Sequence, residues 1–210
     1  MSHPSKGRAL AIIVGMAWVV AIALGTRPLF VHENTPGVPA SPPSQWPLSS
    51  GISRGHDKFT LVMFAHPDCP CTRASIAELE MLTTQLPGKL DVIVQFRKPG
   101  VSERVARASD LWRKAAAIPG VSVRFDRDGT LVHQFGAEVS GQTMLYDPAG
   151  CLVFSGGITG ARGHAGDNPA ADAVIRRVRG GRSPLQFPVF GCSLRDPDRW
   201  QLKRDAAWTK

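Results

Sequence analysis

A chain of 210 residues is long enough for one ordinary domain with appendages, and 43% hydrophobic against 20% charged residues excludes wholesale disorder. The net charge of +8 raises nucleic acid or an anionic membrane surface as partners. The basic residues are spread along the chain, without a stripe interleaved with aromatics, so they read as a solvated surface and no nucleic-acid partner is expected.

From the N-terminus, Lys6 and Arg8 precede an uncharged apolar run, "ALAIIVGMAWVVAIALG" (Ala9 to Gly25), at the short edge of the membrane-spanning range. The basic flank keeps residues 1–8 on the cytoplasmic side, and Arg27 weakens that asymmetry without reversing it. Residues 9–25 are read as an uncleaved transmembrane anchor. The alternative is a cleaved signal with Ala21-Ile22-Ala23 as its small-x-small site. Both send the remainder across the membrane, to the periplasm in a Gram-negative cell, where disulfides are admissible. Residues 26–50 carry Pro28, Pro36, Pro39, Pro42, Pro43 and Pro47, which predicts a semi-rigid extended linker.

The domain is expected over residues 51–181, with a tail over 182–210. "KFTLVMFAH" is a continuous apolar run suited to a strand buried on both faces. Ile76, Leu79, Leu82 and Leu86 then recur at helical spacing until Pro87-Gly88. A second strand, "DVIVQF", precedes one continuous helix predicted over Ser102 to Ile118, and "VSVRFD" is a third strand. "QTMLYD" and "CLVFSG" flank Asp147-Pro148-Ala149-Gly150, a type I turn signal, and predict a hairpin. A last helix starts with Asn168 as N-cap and Pro169 at its first position. The predicted class is α/β, a central mixed sheet flanked by helices, with one N-terminal transmembrane helix.

Two thiols one proline apart, in "HPDCPCTRASIAEL", lie where the first strand hands over to the first helix of the domain. "LVMFAHPDCPCTRASIAEL" and "FDRDGTLVHQFGAEVSGQTMLYDPAGCLVFSGG" resemble the thioredoxin-like superfamily, in particular the membrane-anchored thiol–disulfide proteins of bacterial envelopes. The match spans about residues 52 to 180. "GGITGARGHAGDN" and "PVFGC" are similar to a small group labelled RedB-like. The resemblance implies a thioredoxin-like fold, thiol–disulfide exchange and protein thiols or disulfides of the envelope as partners, beside the membrane itself. Two departures stand out. Thr72 occupies the place of the second cysteine of Cys-x-x-Cys, and Gly141 occupies the place of the cis-proline that faces the cysteines and keeps metal off them.

A thiolate at a helix N-terminus is stabilised by the dipole and free N–H groups, which makes Cys69 the expected attacking thiol. Arg73 is expected to assist and Asp68 to oppose. Cys71 can attack a mixed disulfide on Cys69, and a Cys69–Cys71 bond would close a strained, readily reduced ring around Pro70. Cys192 is a second candidate, a resolving thiol or third metal ligand if the tail folds back, or else a partner for Cys151. Cys151 itself is read as a buried thiol. Four cysteines allow three pairings, and spacing does not choose among them. No cofactor is expected in the exchange reading. The alternative is a copper-binding assembly factor in which Cys69, Cys71 and either His66 or His164 hold Cu(I). A redox-inactive interaction module is the third reading.

Overall fold

The structure is a computed structural model and describes residues 6–97 and 101–195. It divides into two compact units, residues 1–35 and residues 36–210.

The first unit is a single helix, α1 (Lys6–Asn34), long and apolar enough to cross a membrane, with none of its spanning stretch buried in protein. At 1.5 Å per residue it extends about 43 Å, more than a bilayer's hydrocarbon core. It overruns the predicted 9–25 span and carries Pro28 in its interior. The expectation that the linker begins at Thr26 is therefore corrected: one proline removes one donor from the ladder, and the flanking residues keep helical geometry.

The proline-rich stretch beyond Pro36 is extended, but it is not a spacer. Proline cannot donate to a ladder, yet the residues between the prolines can. Gly37 N donates to Val189 O (2.8 Å), Ser41 N to Gly136 O (3.1 Å) and Trp46 N to Gly150 O (2.8 Å). The Trp46 side chain, 5% exposed, packs edge-on against Phe135 and Tyr146, each at 5.2 Å, and donates to Ile52 O. Residues 36–50 therefore belong to the second unit, and the expected domain start at residue 51 moves back to about Pro36.

The sheet has five strands: β1 (Phe59–Ala65), β2 (Leu90–Arg97), β3 (Val121–Asp126), β4 (Thr143–Tyr146) and β5 (Leu152–Gly156), in the order β3-β2-β1-β4-β5. β1, β2 and β3 run parallel, with Val62 opposite Ile93 and Val94 opposite Val123. β4 pairs antiparallel with β1, and β5 antiparallel with β4. The central strand β1 is buried along nearly its whole length, as its unbroken apolar run requires. Leu61, Met63 and Ala65 face α2 (Pro70–Gln85), α4 (Asp110–Ala117) and α6 (Pro169–Val178), while Val62 and Phe64 face Trp46, Phe135 and Tyr146.

The single helix expected from Ser102 to Ile118 is instead α3 (Glu103–Arg107) followed by α4. Ser109 is the N-cap of α4 and its side chain accepts from Trp112 N, a start signal that interrupts the apolar periodicity. A short helix, α5 (Thr130–Gln134), was not foreseen; the buried Asp126 carboxylate caps it by accepting from Leu131 N (3.3 Å) and Val132 N (2.8 Å). The hairpin turn has Gly150 N donating to Asp147 O (2.9 Å), and Asn168 caps α6 by accepting from Ala171 N (2.9 Å), both as expected.

Candidate functional site

Cys69 is the N-cap of α2, with extended backbone, and Pro70 is the first helical residue. Cys69 O accepts from Thr72 N (3.0 Å) to close the first turn. A proline at this position costs nothing, because the first N–H groups of a helix have no intrahelical partner. It also fixes the chain direction between the two thiols.

Three sulfurs meet here. The thiols of Cys192 and of Cys71 both donate to the Cys69 sulfur, and the backbone N–H groups of Cys192 and Cys71 point at it as well. These donors, led by the Cys192 thiol, outweigh burial and hold the Cys69 thiol well below its usual range. The same contacts, with desolvation, push the Cys71 and Cys192 thiols up. Cys69 is therefore the thiolate of the cluster and its neighbours are proton-bearing donors. None of the four cysteines is disulfide-bonded. Cys151 is remote from the cluster, half-buried, with Gln45 Nε2 donating to its sulfur at 3.2 Å.

Cys192 arrives on the folded-back tail. Phe187 N donates to Ser155 O (2.9 Å) and Gly157 N to Pro188 O (3.1 Å), which holds the tail to the β5 end. It then pairs as a short antiparallel strand with residues 138–140: Ser140 N donates to Cys192 O (2.8 Å) and Leu194 N to Glu138 O (2.8 Å), with Val139 opposite Ser193. The approach needs glycine at position 191, since a Cβ there would meet Ser140 O at 2.0 Å. The expected domain end at 181 accordingly moves to at least Arg195 among the described residues.

Thr72 and Gly141, the two departures, turn out to be joined through one residue. Thr72 Oγ1 donates to His66 O (2.9 Å) and lies 2.9 Å from Ser140 Oγ, which accepts from His66 N. Gly141 follows with φ of +90°, and its N–H donates to Phe64 O at 2.8 Å, a bond proline cannot make. The described residues contain no cis peptide bond. Thr72 thus ties the α2 start to the segment on which the tail strand rests, rather than supplying chemistry.

Arg73 does not assist the thiolate. Its guanidinium is half-exposed and paired with Asp110 Oδ2 at 2.5 Å, which bridges α2 to α4. The nearby cation is Arg162, whose charge favours the thiolate forms of Cys71 and Cys192, while Gly163 N–H points at the Cys71 sulfur. Arg162 Nη1 donates to Gly191 O at 2.6 Å. The glycine-rich loop therefore does reach the thiols, although β5 is an edge strand. The reason is that α6 packs on the same sheet face as α2, so the β5–α6 loop must cross α2. Glu78, only 6% exposed, anchors it by accepting from Gly166 N and from Asn168 Nδ2 (3.4 Å).

His66 Nδ1 accepts from Asp68 N (3.1 Å), His66 Nε2 lies 3.3 Å from Arg97 Nη1, and His164 is exposed. Among the described residues no group of three or more His, Cys, Asp or Glu side chains is arranged to hold a metal ion. Arg162, Gly163, Ser140 and Glu78 were not expected at the site. The one sequence signal for Glu78 is a charge on the buried face of α2, between Ser75 and Leu82.

Among solved structures, an uncharacterized conserved protein from Geobacillus kaustophilus superposes with a TM-score of 0.54 at 18% identity, covering 79% of this chain and 94% of that one. A hypothetical protein from Sinorhizobium meliloti gives 0.55 at 19%, covering 78% and 96%. The exposed lipoprotein thioredoxin of Streptococcus pneumoniae gives 0.43 at 18%, covering 60% and 86%. The fold is thioredoxin-like. Its β3-β2-β1-β4-β5 sheet carries a cysteine at the β1–α2 junction. No family model matches the chain, and no curated protein does.

Proposed function

We propose that this protein is a membrane-tethered thiol–disulfide oxidoreductase working on the outer, periplasmic face of the membrane, with α1 as its anchor. The observation that carries the reading is the Cys69 sulfur at the N-cap of α2, receiving hydrogen bonds from two further thiols. A buried thiolate beside two protonated thiols is the reduced half of a disulfide couple, ready to attack or to be expelled. Cys71 and Cys192 are both within reach, so the Cys-Pro-Cys segment and the tail together form the site. The two segments that carry the RedB-like resemblance, the glycine-rich loop and "PVFGC", meet through the Arg162–Gly191 bond at this site, which supports membership of that subgroup. Clients are protein thiols or disulfides of the envelope.

The test is equilibration of the full-length protein, in detergent, with glutathione buffers of graded potential, followed by mass-spectrometric counting of thiols. A two-electron couple that disappears in Cys69→Ser is expected. A domain that shows no couple at any potential overturns the reading. Stoichiometric Cu(I) capture in its place, lost with Cys69→Ser or Cys71→Ser, would put a copper-handling role in its stead; neither activity would leave an interaction module.

A further inference from the structure

We propose that Cys192, and not Cys69, is the sulfur that bonds covalently to the client, with Cys69 as the buried sulfur it exchanges with; this rests on the exchange reading above.

The argument begins with access. Cys69 is 1% exposed and Cys71 7%, whereas Cys192 is half-buried. Displacement at a disulfide needs the incoming, central and departing sulfurs nearly in line. A client therefore has to reach the outer sulfur from the side opposite the inner one. In a Cys69–Cys192 disulfide the outer sulfur belongs to Cys192.

The second consideration is the departing group. A thiolate leaves faster the lower its proton affinity. Cys69 is the sulfur that the helix start, the Cys71 thiol and two backbone N–H groups stabilise as an anion. Attack on Cys192 expels that anion into a site already built for it. Attack on Cys69 would expel Cys192, which sits at no helix start and has Arg162 as its nearby cation.

Ring geometry is the third. Cys69 and Cys71 are separated only by Pro70, at the first helical position, whereas Cys192 comes from a separate strand. Its bond to Cys69 therefore escapes the small-ring constraint that burdens Cys69–Cys71.

The step balances for a client dithiol. The first client thiolate attacks Cys192, forming a client–Cys192 disulfide and breaking Cys69–Cys192, so that Cys69 leaves as thiolate. The second client thiol, losing its proton, attacks the client sulfur of that mixed disulfide. It forms the client disulfide and releases Cys192, which takes the proton. Two electrons pass from the client dithiol to the domain disulfide. Run backwards, the same route reduces a client disulfide. Cys71 acts throughout as the hydrogen-bond donor that holds Cys69 as the anion.

The experiment uses the oxidised full-length protein in detergent, with Cys151→Ser to remove the remote thiol. Reduced glutathione is added as a single-thiol probe, the reaction is quenched in acid at short times, and peptides are mapped by mass spectrometry. The expected result is a Cys69–Cys192 disulfide at the start, then glutathione on Cys192 at least ten-fold above that on Cys69, with Cys69 newly alkylatable. Glutathione on Cys69 or Cys71, or an oxidised form containing Cys69–Cys71, overturns the assignment while leaving the exchange reading intact. A protein that forms no disulfide sinks both.

Discussion

Gly191 is the residue on which the assembly of the site depends, and Gly191→Ala probes it directly. The added Cβ would lie 2.0 Å from Ser140 O and 3.2 Å from Val139 Cγ1, and the first of these is backbone that cannot rotate away. Only the tail can yield. If it lifts from residues 138–140, the Ser140–Cys192 and Leu194–Glu138 backbone bonds are lost, each worth about 1 kcal/mol net. If it stays, overpacking costs about 1–3 kcal/mol. Either route gives a loss of about 2 kcal/mol, or roughly 4–8 °C in melting temperature for a domain of this size. The functional effect should be larger, because Cys192 moves with the tail. Formation of the Cys69–Cys192 disulfide at fixed glutathione potential should fall at least ten-fold. Gly160→Ala is the control, since its nearest foreign atom would be Asn168 Cβ at 3.6 Å, an ordinary contact. Circular dichroism melting and thiol counting on both variants decide the matter. A Gly191→Ala protein with unchanged melting and unchanged disulfide yield would refute the account of how the tail is seated.

Three further outcomes are expected. Trp46→Ala should destabilise the domain by about 3–5 kcal/mol, because it empties a buried aromatic site; a spacer residue would cost nothing measurable, and guanidinium unfolding separates the two. Glu78→Gln replaces one acceptor oxygen with a donor facing Gly166 N or Asn168 Nδ2, and guanidinium unfolding should show a loss of about 1–3 kcal/mol. For the reduced protein, folded Cys69 has released a proton that the unfolded chain keeps until about pH 8.5, so its contribution grows as pH rises to that value and is lost as pH falls through the depressed folded pKa. Cys71 and Cys192 keep protons in the fold that the unfolded chain releases above about pH 8.5, so their contribution is present below that value and declines above it. Denaturation against pH should therefore show a stability maximum near pH 8.5 whose acid limb flattens in Cys69→Ala; an identical limb in the variant would contradict the thiolate assignment.

The apolar run of β1, the helical spacing of Ile76, Leu79 and Leu82, the turn at Asp147–Gly150 and the Asn168-Pro169 cap determine their elements locally. Each depends on burial or hydrogen bonds within a few residues, which is why the order of elements along the chain and the placing of Cys69 at a helix start could be read from the chain alone. The break at Ser109 was legible too, as a serine N-cap before an aspartate, though the continuous periodicity hid it. Trp46, Cys192, Arg162 and Glu78 are different. Trp46 looks like one residue of a proline-rich spacer until Phe135 and Tyr146 are seen to enclose it. Arg73 is near Cys69 in sequence yet is drawn away to Asp110, while Arg162, some ninety residues further on, is the cation near Cys71 and Cys192. Which thiol meets Cys69 follows from a strand pairing between residues 138–140 and 192–194 that leaves no periodic trace, because two backbone bonds and one small glycine suffice to make it. The thiolate and its helix were written in local sequence; its partners were decided by long-range packing, where contacts are set by shape rather than spacing.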